Sequence, residues 1–205
     1  MQPLFRRCLI LLLLLVHDRP TPAAETDRPK MEQLANRDGL RSLPPARDLV
    51  VARPVFRQRF REALSHTETT IGATQAAETL LTAASTEPDR ALRWLMLDEA
   101  RRLGEAAGQA GIVSRAITLA SADYEFDAID LELRSLNHIP LRGLDARRAA
   151  SLASAAEDIA TRAEADERLD RAAMATLLAY RAWQRAGNKQ AAGSAAARHD
   201  AFQRQ

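Results

Sequence analysis

A chain of 205 residues that is 46% hydrophobic but only 4% aromatic, with Ala and Leu supplying most of the apolar side chains, is built for helices rather than strands. Its formal net charge of +2 is carried by the first 23 residues, where Arg6, Arg7 and Arg19 stand against Asp18. The remainder is neutral, without the clustered cation excess that nucleic-acid phosphates demand, and the single cysteine, Cys8, excludes a disulfide framework.

The chain begins with MQPLFRR, a positive stretch, followed by the apolar run CLILLLLLV and a polar exit, HDRPTPAAET, with small residues at Thr21, Ala23 and Ala24. That layout predicts a secretory signal peptide over residues 1–24, cleaved after Ala23 or Ala24, and hence an exported protein of the periplasm, cell envelope or exterior. The run from Cys8 to Val16 is far shorter than the ~20 residues of a membrane-spanning helix. If the leader stayed uncleaved, the alternative is a structural envelope component held at the membrane. Cys8 opens the apolar run instead of following it, which excludes a lipid-attachment cysteine.

Residues 25–53 contain Pro29, Pro44, Pro45 and scattered charges with little apolar periodicity. They predict a flexible linker with a helical turn near residues 30–37. Pro54 then suits the first turn of a helix whose Phe56, Phe60 and Leu64 recur every fourth residue, opening a helical domain over 54–205. Arg57, Arg59 and Arg61 spread around that helix as a solvated face. A second helix is expected over residues 67–84, with Ile71, Ala77 or Glu78, and Leu81 on its stripe.

A third starts at Pro88 and carries Leu92, Leu95, Met96, Ala100, Leu103 and Ala107 along one face until Gly108. Glycine just past the last periodic residue is the expected helix stop. Ile112, Ala116 and Leu119 begin a new stripe within a few residues, so the two helices turn back on one another. Asp123 or Asp127 is placed as an N-cap ahead of Ile129, Leu133 and Leu136. In RRAASLASAAEDIATRA the stripe is cleanest, through Ala149, Leu152, Ala153, Ala156, Ile159, Ala160 and Ala163. Leu169, Ala173, Leu177 and Tyr180 form the next, Ala186-Gly187 ends it, and a last helix runs from Asn188. The two Ala-Gly pairs punctuate hairpins, spaced as two helix-hairpin repeats.

The stretch ALRWLMLDEARRLGEAAGQAGIVSRAITLASADYEFDA resembles a tetratricopeptide-type helical repeat, and more closely the divergent helical modules of exported bacterial proteins of unassigned role. Leu103-Gly104, Ala107, Gly111 and Ala116-Ile117 fall where such repeats place a Leu-Gly pair, a large residue, a turn glycine and a small-residue contact. Ala107 stands in place of the usual aromatic. The resemblance implies an all-α fold of six to seven helices, antiparallel hairpins stacked as a right-handed solenoid or an irregular bundle. It also implies a protein-interaction scaffold rather than an enzyme.

Motifs for chemistry point the same way. Asp123, Glu125 and Asp127 are spaced like the start of a calcium loop, but Ala128 occupies the glycine position and Arg134 that of the bidentate glutamate. His17 lies in the leader, and His66, His138 and His199 are too far apart for metal-ligand spacing. Neither a nucleophile elbow nor a phosphate- or dinucleotide-binding glycine pattern occurs, and no cofactor is expected. Trp94, Arg101, Tyr180 and Trp183 are the candidate lining of a groove for an unidentified protein partner. Nucleic acid is not expected, and a membrane contact only if the leader is retained.

Overall fold

A computed structural model describes residues 41–204. The expected leader, the turn at residues 30–37 and the start of the expected linker lie outside the described residues. Those described form an all-α structure: α1 (Ala46–Arg59), the single turn α2 (Arg61–Leu64), α3 (Thr70–Ala84), α4 (Arg90–Ala107), α5 (Ala110–Ser121), α6 (Ala128–His138), α7 (Ala146–Ala165), α8 (Leu169–Ala186) and α9 (Lys189–Gln203). Short connections make consecutive helices antiparallel neighbours, and α1 packs back on α4. Among the described residues no helix is long and apolar enough to cross a membrane.

Two hydrophobic clusters share one helix. Phe56, Phe60, Leu80, Leu81, Met96 and Leu97 belong to the first, while Leu133, Leu136, Leu152, Ile159 and Leu178 belong to the second. α5 feeds both: Ile112, Ala116 and Ala120 face the first cluster, whereas Ala110, Val113 and Ile117 face the second. Spacing of three and four residues puts each set on its own side of the helix. At the α4–α5 approach, a Cβ on Gly104 would lie 2.9 Å from Ile112 Cγ2, so only glycine lets these helices come so close.

Both Ala-Gly pairs end their helices in one way. Gly108 has φ 67° and Gly187 φ 79°, the left-handed region that glycine enters without a Cβ penalty. The Gly108 and Gln109 amides donate to Glu105 and Gly104, and the Gly187 and Asn188 amides to Gln184 and Trp183. Those paired bonds satisfy carbonyls that a helix end otherwise orphans. Helix starts are equally explicit: the side chains of Thr69, Asp89, Asp127, Asp145 and Asn188 each accept from the amide three residues on.

Several expectations need correcting. Residues 46–53, expected as linker, are the first part of α1, and Pro54 lies inside that helix instead of opening it. Proline lacks the amide that would bond the Val50 carbonyl, but Val50 is 66% exposed, so water can serve that acceptor. The helix count among the described residues exceeds six to seven in part because the chain breaks at Phe60, which both caps α1 and precedes the single-turn α2. Ile71 is 72% exposed, since the buried face of α3 runs through Ala73, Ala76, Ala77, Leu80 and Leu81.

Arg41–Ser42 forms a two-residue parallel pairing (β1) with Tyr124–Glu125 (β2), which no sequence periodicity announces. In α8 the buried face is Ala172, Ala173, Ala175, Thr176, Leu178, Ala179 and Ala182, so of the expected stripe Ala173 is buried, Leu177 and Tyr180 are half-buried and Leu169 is exposed. α8 packs between α7 and α9, and most of the side chains it buries there are alanines, with Leu178 the one large apolar residue among them. The α7 stripe is buried as expected at all seven positions.

Candidate functional site

The four residues singled out from sequence do not share one surface. Trp94, on α4, packs edge-on against Tyr124 and Phe126 with ring centroids 5.2 and 5.8 Å away, at the margin of the first cluster. Tyr180 and Trp183, on α8, pack against the second cluster, where the Trp183 Nε1 donates to Glu157 at 2.8 Å. Arg101 is consumed by its neighbours: it pairs with Asp98 and Glu105 and donates to Ser135 Oγ at 2.9 Å.

That last bond belongs to a polar seam along α6. Besides Ser135, α6 and its N-cap offer Asp127 to Arg168, Asp130 to Arg168 and Arg171, and Glu132 to Arg162. Four arginines from three other segments thus fix a short helix whose apolar face, Ile129, Leu133 and Leu136, belongs to the second cluster. The side-chain hydrogen bond from Arg168 holds the Asp127 carboxyl below its usual range, and Asp127 raises the Arg168 guanidinium in turn. Asp145 is also lowered, first by the Arg148 amide that it caps. These shifts follow from helix capping and ion pairing, which makes the seam an architectural feature.

An apolar groove of about 580 Å³ lies between α1 and the start of α4. From α1 and the residues before it, Pro44, Pro45, Asp48, Val51 and Val55 line it, and from the start of α4 Pro88, Asp89, Arg90 and Leu92. The local sequence explains the lining. Phe56 and Phe60 commit one face of α1 to the core, which turns Val51 outward at 74% exposure and Val55 at 53%. Pro88 and the Asp89 cap then start α4 at a fixed place opposite: Asp89 Oδ1 accepts from the Leu92 amide at 2.8 Å. β-Branched valines held solvent-exposed on a folded helix offer apolar area at small entropic cost.

The residue types for chemistry are dispersed. His138 Nδ1 approaches Glu105 at 4.0 Å from an exposed position, and His199 Nδ1 lies 3.0 Å from the Ala173 carbonyl. Asp123, read as the start of a calcium-loop spacing, instead pairs with Arg93 at 2.6 Å. Tyr124, 2% exposed, donates its hydroxyl to the Arg90 carbonyl at 2.7 Å, and burial raises its pKa. Among the described residues no three His, Cys, Asp or Glu side chains gather in a metal-binding arrangement. Sequence reasoning missed the groove; its only signal was Val50, Val51 and Val55 lying off the Phe56 and Phe60 face. No family model, curated protein or solved structure matches the chain.

Proposed function

We propose that this protein is an exported, non-catalytic helical-repeat scaffold that docks a protein partner in the groove between α1 and α4. One observation carries the reading: Val51 and Val55, 74% and 53% exposed, line an open groove of about 580 Å³ together with Pro88 and Leu92. A soluble protein that keeps an apolar concavity on a rigid, well-capped framework has a surface suited to an apolar segment of another chain. The leader-like N-terminus directs the scaffold to the periplasm, envelope or exterior, where the partner would be met. The groove is preferred to a lining by Trp94, Arg101, Tyr180 and Trp183, because Trp94 packs on the first cluster, Tyr180 and Trp183 on the second, and Arg101 is held in ion pairs with Asp98 and Glu105.

Capture from an envelope extract of the native cell, with the wild-type protein and a Val51→Asp, Val55→Asp double variant as baits, tests the proposal. The variant places two carboxylates on exposed positions, so its helical circular dichroism should match the wild type. The reading predicts a partner retained by the wild type and lost by the variant. Equal retention by both baits would remove the groove from the account.

A further inference from the structure

The groove continues around the start of α4. Pro88 and Arg90 line both it and a smaller cavity of about 290 Å³, whose other walls include Arg41, Arg93, Asp123 and Tyr124. The groove is lined by valine and proline with Asp48, Asp89 and Arg90 among them, and the cavity adds Arg41 and Arg93 with Glu87 and Asp123.

The charges in this cavity do not cancel. Of its two carboxylates, Glu87 is held by Arg59 and by the Asp89 amide, which donates to it at 3.0 Å, and Asp123 is held by Arg93 at 2.6 Å. Among the described residues neither Arg41 nor Arg90 has a carboxylate within 4.0 Å. Arg90 is nonetheless fixed in place. It donates to the Ser42 carbonyl at 2.8 Å, and its guanidinium lies 5.9 Å over the Tyr124 ring. The β1–β2 pairing sets Arg41 opposite Tyr124, and Arg41 lines the same cavity as Arg90. A planar guanidinium held as that of Arg90 is preorganised for a carboxylate, and the attraction is strongest where the surroundings are partly desolvated.

We infer that the segment docked in the groove is an apolar C-terminal tail whose terminal carboxylate sits between Arg41 and Arg90. The inference rests on the docking function proposed for the groove. A chain end is favoured over a side-chain carboxylate because Arg41, Asp123 and Tyr124, all at the strand pairing, wall the cavity beyond the groove. A tail that enters past Pro88 meets that wall and needs no onward path.

Fluorescence anisotropy with the full chain and three fluorescein-labelled peptide pools tests this. Each pool is randomised over Val, Leu, Ile, Ala and Pro; one ends in a free carboxylate, one in an amide, and one in an amide with an internal Glu. The expected order is tightest binding by the free-acid pool and about tenfold weaker binding by the amidated pool, the worth of one charge-assisted contact. Arg41→Gln should erase that difference, and Val51→Asp with Val55→Asp should abolish binding of every pool. If the free and amidated pools bind alike and Arg41→Gln is silent while the valine variant still fails, the groove stands and the carboxylate claim falls. A preference for the internal-Glu pool overturns the terminal assignment, and no binding by any pool overturns both. A dimer in sedimentation that the valine variant breaks would give the groove to a second copy and overturn the inference too.

Discussion

Arg162 of α7 donates through Nη2 to Glu132 Oε2 of α6 at 2.5 Å, with the glutamate side chain 4% exposed and the arginine 46%. The pair is asymmetric, and its two halves should fail differently. Arg162→Ala strands a buried carboxylate and should cost about 2–3 kcal/mol, whereas Glu132→Gln leaves a neutral acceptor for the arginine and should cost about 1 kcal/mol. Urea unfolding at pH 7 gives both values; equal losses would mean that the contact does not hold α6 in place.

The two Ala-Gly stops look identical in sequence but not in their surroundings. A Cβ on Gly108 would lie 2.5 Å from Leu144 Cδ2, a buried side chain, while nothing comes within 4 Å of one on Gly187. Gly187→Ala should therefore cost about 1 kcal/mol, from the left-handed backbone alone. Gly108→Ala should cost about 2–3 kcal/mol, because Leu144 must also move within the core. Thermal unfolding of the two variants ranks them directly.

Leu152 is fully buried in α7, and Ile71 is 72% exposed on α3. Leu152→Ala should cost about 2–5 kcal/mol, and Ile71→Ala less than about 0.5 kcal/mol. A large loss at Ile71 would restore the stripe expected from sequence and contradict the packing of α3.

Acid should weaken the α6 seam. Asp127 has a carboxyl lowered from the ordinary 3.8 by the Arg168 hydrogen bond, so its contribution is complete above about pH 4 and is lost as pH falls through the folded value. With the side chain 45% exposed, solvent screening keeps the effect near ~0.5 kcal/mol. Asp127→Asn retains a cap and removes the titration. Its melting temperature should therefore fall less than that of the wild type between pH 5 and pH 2, and parallel curves would refute the assignment.

Much of the framework could be read from particular residues. The α7 stripe from Ala149 to Ala163, the stops at Gly108 and Gly187 and the cap at Asp127 are local signals, each fixed within one or two helical turns. The failures have physical causes. Pro44 and Pro45 suggest a linker and Pro54 a helix start, yet the first two directly precede α1 and the third sits inside it, where its missing hydrogen bond faces water. Trp94 looks like a surface anchor, but Tyr124 and Phe126, brought in by a distant turn, draw it to the core margin. The groove joins residues 44–55 to residues 88–92, a pairing that depends on α1 packing against α4 and that no local pattern encodes.

The most direct measurement is site-specific photo-crosslinking in an envelope extract, with a benzophenone side chain placed singly at positions 51, 55, 180 and 183. The account predicts one shared adduct from positions 51 and 55, and none from positions 180 and 183. An adduct confined to positions 180 and 183 would place the partner on α8 and contradict the docking groove.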